Sequence, residues 1–236
     1  MLFFLPSLLQ AKEPDWSDYA ALLKQHVKTE QRHDVQLNWI SYSKIKQDPR
    51  WLRIIKQIET FSPKELVTEE ERLAFYINVY NIMAMKVVID NWPLKSIKDV
   101  GNIFWPVWKR VAGKVGGNEV TLDEIEHEIL RPMGEPRIHF AIVCASISCP
   151  DLRKEPFIAD KLSKQLDEQI IHFFNNPKKG LYQDKSSTHV SKIFSWFKED
   201  FGGEKGVHDF IRRYNKQAAD LPIKSDLPYN WLVNGN

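Results

Sequence analysis

The segment SPKELVTEEERLAFYINVYNIMAMKVVIDNWP, residues 62–93, decides how the chain folds. Thr68 sits where a helix N-cap belongs and Glu71 follows three residues later, so each side chain can accept the other residue's backbone N–H as a capping box. From there Leu73, Ala74, Phe75, Ile77, Val79, Tyr80, Ile82, Met83, Val87 and Val88 leave almost no polar face. A helix that is apolar all round has to be buried, and Asn91-Trp92-Pro93 supplies its end. The pattern predicts a central core helix over 68–90 on which the remaining elements pack.

Upstream, Trp16, Tyr19, Leu22, Leu23 and Val27 recur at helical spacing, VQLNWISY alternates loosely like a strand, and residues 50–61 are helical again. Downstream, KVGGNEV reads as a tight hairpin whose glycines supply the turn. TLDEIEHEILRP is a short helix capped by Thr121 with Glu124 answering. The β-branched run IHFAIV predicts a buried strand over 138–143. Leu162, Leu166, Ile170, Phe173 and Phe174 then form one helical stripe, and Val207, Phe210, Ile211, Tyr214 and Leu221 face inward in the tail. No repeat, low-complexity linker or break in composition interrupts residues 15–236. The expected architecture is a single α+β domain, mainly helical around a small antiparallel sheet.

The 236 residues include 43% hydrophobic and 12% aromatic side chains, enough for a substantial core. Thirty-three basic residues against thirty-one acidic ones give a net charge of +2 with both signs interspersed, which argues against a nucleic-acid partner. No run of about 20 uninterrupted apolar residues predicts an integral membrane span. The start, MLFFLPSLLQAK, resembles the hydrophobic region and cleavage site of a signal peptide without its basic leader, so residues 1–11 read as a truncated signal. The expected location is therefore periplasmic or secreted, with the cytoplasm left open.

The chemistry concentrates in RIHFAIVCASISCPDLR, residues 137–153, which holds both cysteines of the chain. Strand alternation places Arg137 and His139 on one face and Cys144 on the other. Pro150 suits the first position of a helix and Cys149 the cap before it, where backbone N–H groups and the helix dipole favour a thiolate. Cys149 is then a nucleophile candidate and His139 its base, provided the turn folds back; His127, beside Glu126, is the second choice for the base. Asn78 and Asn81 share one face of the apolar helix and must find partners, either by tying loops to the core or as orienting or oxyanion groups. A disulfide between Cys144 and Cys149 competes with catalysis. No zinc spacing, phosphate loop or dinucleotide fingerprint is present, so neither a metal nor a cofactor is expected.

The strings LAFYINVYN, LDEIEHEILR, RIHFAIVCASISCP, SKIFSWFKEDF and LPYNWLVN, taken in this order, resemble the family called domain of unknown function 547, from about Trp39 to Asn234. What the resemblance implies is a set of residues to watch: Asn78, Asn81, Glu126, His127, Arg137, His139, Cys144 and Cys149, with Arg137 and Cys144 as binding positions. The layout is also similar to papain-type and transglutaminase-type cysteine hydrolases, by analogy alone. Those enzymes carry the cysteine at the start of the central helix, where this chain has TEEERL and no thiol. Three readings follow from the sequence: an exported cysteine-dependent hydrolase or acyl transferase acting on a small-molecule, peptide or amide substrate; a non-catalytic binding domain whose polar cluster is structural; and, resting only on the expected export, an interaction module for a membrane or envelope partner.

Overall fold

The computed structural model describes residues 13–236; the expected signal segment, 1–11, lies outside them. The order is α1 (Ser17–His26), β1 (Val27–Arg32), β2 (Val35–Ile40), α2 (Tyr42–Ile45), α3 (Pro49–Thr60), α4 (Glu69–Asp90), β3 (Val111–Val115), β4 (Asn118–Thr121), a π-helical segment Glu124–Leu130, α5 (Leu162–Phe174), β5 (Leu181–Gln183), β6 (Thr188–Val190), α6 (Ile193–Trp196), α7 (Gly203–Tyr214) and β7 (Ile223–Lys224). The architecture is α+β, as the sequence predicts.

Helix α4 is the buried centre. Thr68 Oγ1 accepts from the Glu71 N–H (3.1 Å), and the Glu71 carboxylate accepts from the Thr68 N–H (3.0 Å). Sixteen of its 22 residues are buried, because almost every face carries an apolar side chain that only a surrounding core can take out of water. By length and composition it is the one membrane-span candidate among the described residues, but 83% of its most apolar window is buried inside the protein. A second cluster forms around Phe140, whose ring meets Phe173, Phe174, Phe194, Phe201 and Phe210 at 5.5–6.2 Å. Phe140 thus links the loop carrying the cysteines to α5, α6 and α7.

The expected small antiparallel sheet is divided into three. β1 and β2 form a hairpin across His33 and Asp34, both in the left-handed region that a two-residue turn requires. β3 and β4 form the predicted hairpin over Gly116 and Gly117. β5 and β6 are antiparallel, and β7 adds to β6 in parallel.

The predicted strand over 138–143 does not form. Pro136 opens a 3₁₀ turn, Pro136–Phe140, capped by Glu135, and residues 141–143 run on irregularly. Asn81 does the work of a neighbouring strand: its Nδ2 donates to the Ala141 carbonyl (3.0 Å) and its Oδ1 accepts from the Val143 N–H (2.8 Å). Gln169 donates to the Phe140 carbonyl (3.0 Å). With its backbone satisfied by side-chain amides, the run is free to be buried without a sheet, and its β-branched content reflects burial alone.

Candidate active site

The expected helix after Cys149 is also absent. Residues 150–158 form no regular element, because Asp151 is drawn inward: its carboxylate accepts from the Asn38 N–H (3.0 Å), from Lys179 Nζ (2.7 Å) and from His172 Nε2 (2.8 Å). Cys149 therefore caps no helix, and the dipole argument for its thiolate does not apply. Cys144 and Cys149 are instead joined as a disulfide with their Cα atoms 6.1 Å apart, inside the normal range for such a bridge. Between them Ala145 has φ 56°, a left-handed conformation that costs a non-glycine residue about 1–3 kcal/mol and concentrates at functional sites.

The strained loop is clamped by the C-terminal segment. Ile147 N–H donates to the Leu232 carbonyl (2.9 Å), Ser148 N–H to the Asn230 carbonyl (3.2 Å) and Asn234 N–H to the Ala145 carbonyl (3.3 Å). This seam brings Tyr229 and Trp231 against the disulfide. Tyr229 Oη lies 3.3 Å from Cys144 Sγ and also accepts from Ser146 Oγ (3.3 Å). Burial raises the Tyr229 phenol, which keeps it a proton donor. Trp196, Tyr229 and Trp231 pack ring against ring at 4.6–5.8 Å.

These rings wall a cleft of about 180 Å³ whose lining includes Tyr80, Glu126, His127, His139, Cys144, Cys149 and Phe197. The irregular backbone after Phe140 is what lets His139 and Cys144 share it; strict alternation would have set them on opposite faces. His139 is 3% exposed, stacks on Phe197 with centroids 4.0 Å apart, and holds Asp200 Oδ2 through Nε2 at 2.8 Å. Asp200 is fixed in turn by both arms of Arg131, each 2.6 Å away. That Arg131 pairing, with the His139 bond, keeps the Asp200 carboxyl below its usual range. Burial pushes the imidazole down to about 4 despite the carboxylate, so it is neutral at neutral pH. The neutral ring gives its Nε2 proton to Asp200, leaving Nδ1 as a bare acceptor, and Nδ1 is buried with no hydrogen-bond partner among the described residues. Leaving such an atom unpaired costs about 1–3 kcal/mol.

Glu126 accepts from the Tyr80 hydroxyl (3.1 Å), and burial raises its carboxyl toward the protonated form. His127 lies at the rim, with Nδ1 2.8 Å from Arg131 Nη1. Asn78 and Asn81 are not lining residues: Asn78 exchanges two hydrogen bonds with the Phe157 backbone (2.8 and 2.9 Å), as Asn81 does with 141 and 143. Both are loop ties. Arg137 is committed elsewhere, to Glu135 at 2.6 Å and Asp167 at 3.0 Å. Asp200, Arg131, Tyr80, Tyr229, Trp196 and Trp231 escaped the sequence reading as site residues, although the strings containing them were singled out. Among the described residues no group of three His, Cys, Asp or Glu side chains could hold a metal.

Fold and cleft together define an α+β protein with a disulfide and a His–Asp pair on one aromatic-walled site. The family model described as protein of unknown function, DUF547, matches residues 63–174 of the chain. That span covers α4, both cysteines and His139 but not Asp200, Tyr229 or Trp231, and is narrower than the 39–234 of the sequence resemblance. No curated protein and no solved structure matches the chain.

Proposed function

We propose that the cleft is the catalytic centre of an exported thiol-dependent hydrolase or acyl transferase, with the Cys144–Cys149 disulfide as its oxidised resting form. The observation that carries this reading is His139: a neutral imidazole oriented through Nε2 by Asp200, with a buried and unpartnered Nδ1, on the wall that also presents both sulfurs. An imidazole oriented by a carboxylate, lining the same cleft as a reducible sulfur, supplies the groups that activate a sulfur nucleophile.

Cys144 is the preferred nucleophile. It is partly exposed where Cys149 is 4% exposed, and its sulfur lies within reach of the Ser146 and Tyr229 hydroxyls at 3.2 and 3.3 Å; reactive thiols need access and hydrogen-bond donors. A dithiol reductant first opens the bridge, supplying two electrons and two protons and leaving as its own disulfide. His139 Nδ1 then takes the Cys144 thiol proton while sulfur attacks the substrate carbonyl carbon. Collapse of the tetrahedral adduct expels an amine or alcohol that carries away the proton from Nδ1 and leaves a thioester. Water attacks the thioester as Nδ1 removes its proton, and the proton returns to the departing sulfur.

The test offers activated esters, thioesters and peptide amides to reduced and oxidised protein and follows acyl adducts by mass spectrometry. The expected result is an adduct on Cys144 after reduction only, lost in His139→Gln. Absence of any cysteine adduct across the panel would reject the enzyme reading. A second reading, a binding domain for a flat or apolar ligand, is favoured by the closed disulfide and the stacked Trp196, Tyr229 and Trp231 wall. It requires the same ligand affinity in oxidised and reduced protein.

A further inference from the structure

Beside the cleft, residues 101–106 form a loop whose tip carries Ile103 and Phe104, the two most exposed large apolar side chains among the described residues, followed by Trp105. Ile103 is 92% exposed, Phe104 91% and Trp105 57%. Three consecutive such residues form a patch of the kind that marks an interaction site. The loop is built to present them. Asn102 Oδ1 accepts from the N–H groups of Phe104 (2.9 Å) and Trp105 (2.8 Å), while the Asn102 N–H donates to the Trp105 carbonyl (3.1 Å). At its base Gly101 lies so close to Val107 that a Cβ there would stand 2.4 Å from the Val107 nitrogen, so the turn closes tightly and its apolar side chains project.

The surrounding charge says what they meet. In KSIKDVGNIFWPVWKR, residues 95–110, there are four cations and one acid. Lys95 and Lys109 are exposed, Lys98 holds its Nζ 3.6 Å over the Trp231 ring, and the single acid, Asp99, is turned back to accept from the Ser96 N–H at 3.0 Å. An apolar tip containing a tryptophan and flanked along the chain by exposed lysines matches the two halves of a bilayer surface: acyl-chain boundary for the side chains, anionic headgroups for the cations.

We infer that the 103–105 loop docks the protein on an anionic lipid surface by inserting Ile103, Phe104 and Trp105 at the headgroup level. The inference is independent of chemistry in the cleft. Trp108, a few residues on, lines that cleft, so docking sets the site beside the membrane surface.

Flotation with vesicles of mixed phosphatidylethanolamine and phosphatidylglycerol, against phosphatidylcholine alone, tests it. The full chain is expected to float with the anionic vesicles and to be released by salt. Replacing Ile103, Phe104 and Trp105 together by Ser should lower partitioning at least ~10-fold. Replacing Lys95 and Lys109 by Gln should lower it ~25-fold, about fivefold for each cation, on anionic vesicles only. These side chains are exposed, so both variants should keep the parent's far-ultraviolet spectrum and melting temperature. Failure of the parent to bind either vesicle, or equal binding by the Ser variant, would overturn the assignment. So would self-association lost in the Ser variant while vesicles go unbound, because the patch would then belong to a second copy of the chain.

Discussion

His139 shows how one side chain acquires its role from three neighbours. Burial discourages its protonation, Asp200 fixes which nitrogen carries the proton, and Phe197 holds the ring plane. Asp200→Asn can present an amide N–H to Nε2, which forces the proton onto Nδ1 and removes the proposed base. Acylation of the reduced protein should fall 10²–10⁴-fold, about the whole contribution of a general base, while ligand affinity for the cleft stays near the parent's. A His–Asp pair that was only structural would leave the acylation rate where it was. The cysteines and His139 were legible in the sequence because one short stretch holds them all. Asp200 lies 61 residues from its imidazole and Tyr229 lies 85 from its sulfur, and no local pattern marks either.

At the level of elements, α4 was legible because its two signals, cap and periodicity, are local. The 138–143 run was not, because a strand is defined by its partner, and here the partner is the Asn81 side chain on α4. Asn81→Ala should strand the Ala141 carbonyl and Val143 N–H, costing about 1–3 kcal/mol in denaturant unfolding, and should loosen the loop that bears His139. Thr68→Ala, which removes only the cap, should cost about 1 kcal/mol and leave the cleft unchanged. Equal effects of the two on cleft chemistry would contradict the role given to Asn81. The missing helix at Pro150 has the same kind of cause: Asp151 spends its carboxylate on a distant pair. Lys179 is 2% exposed and donates to both Asp151 Oδ1 and the Cys149 carbonyl. Asp151→Ala leaves its ammonium buried without a counter-charge and should destabilise by about 3–5 kcal/mol.

The whole molecule joins a core around α4 to a phenylalanine cluster around Phe140, with the cleft alongside and the 230–236 segment sewing the cysteine loop to β2. Stability should carry the signature of the site. His139 has a folded value of about 4 against an ordinary 6.5, so between these values the unfolded chain binds a proton that the folded one refuses. Unfolding free energy should therefore decline as pH drops from 6.5 toward 4 through this residue. His139→Gln should flatten that part of the curve; an unchanged slope in the variant would show that the ring is not buried neutral. Carboxylates held low, such as Asp200, lose their contribution only under more acidic conditions.

The most direct measurement is the rate at which iodoacetamide modifies each cysteine after mild reduction at neutral pH, mapped by peptide mass spectrometry in the parent and in His139→Gln. Cys144 should react at least ~10-fold faster than Cys149 in the parent, as an activated thiol does, and should fall to the slower rate in the variant. Slow and equal labelling of both sulfurs, indifferent to His139, would contradict a thiol centre in this cleft.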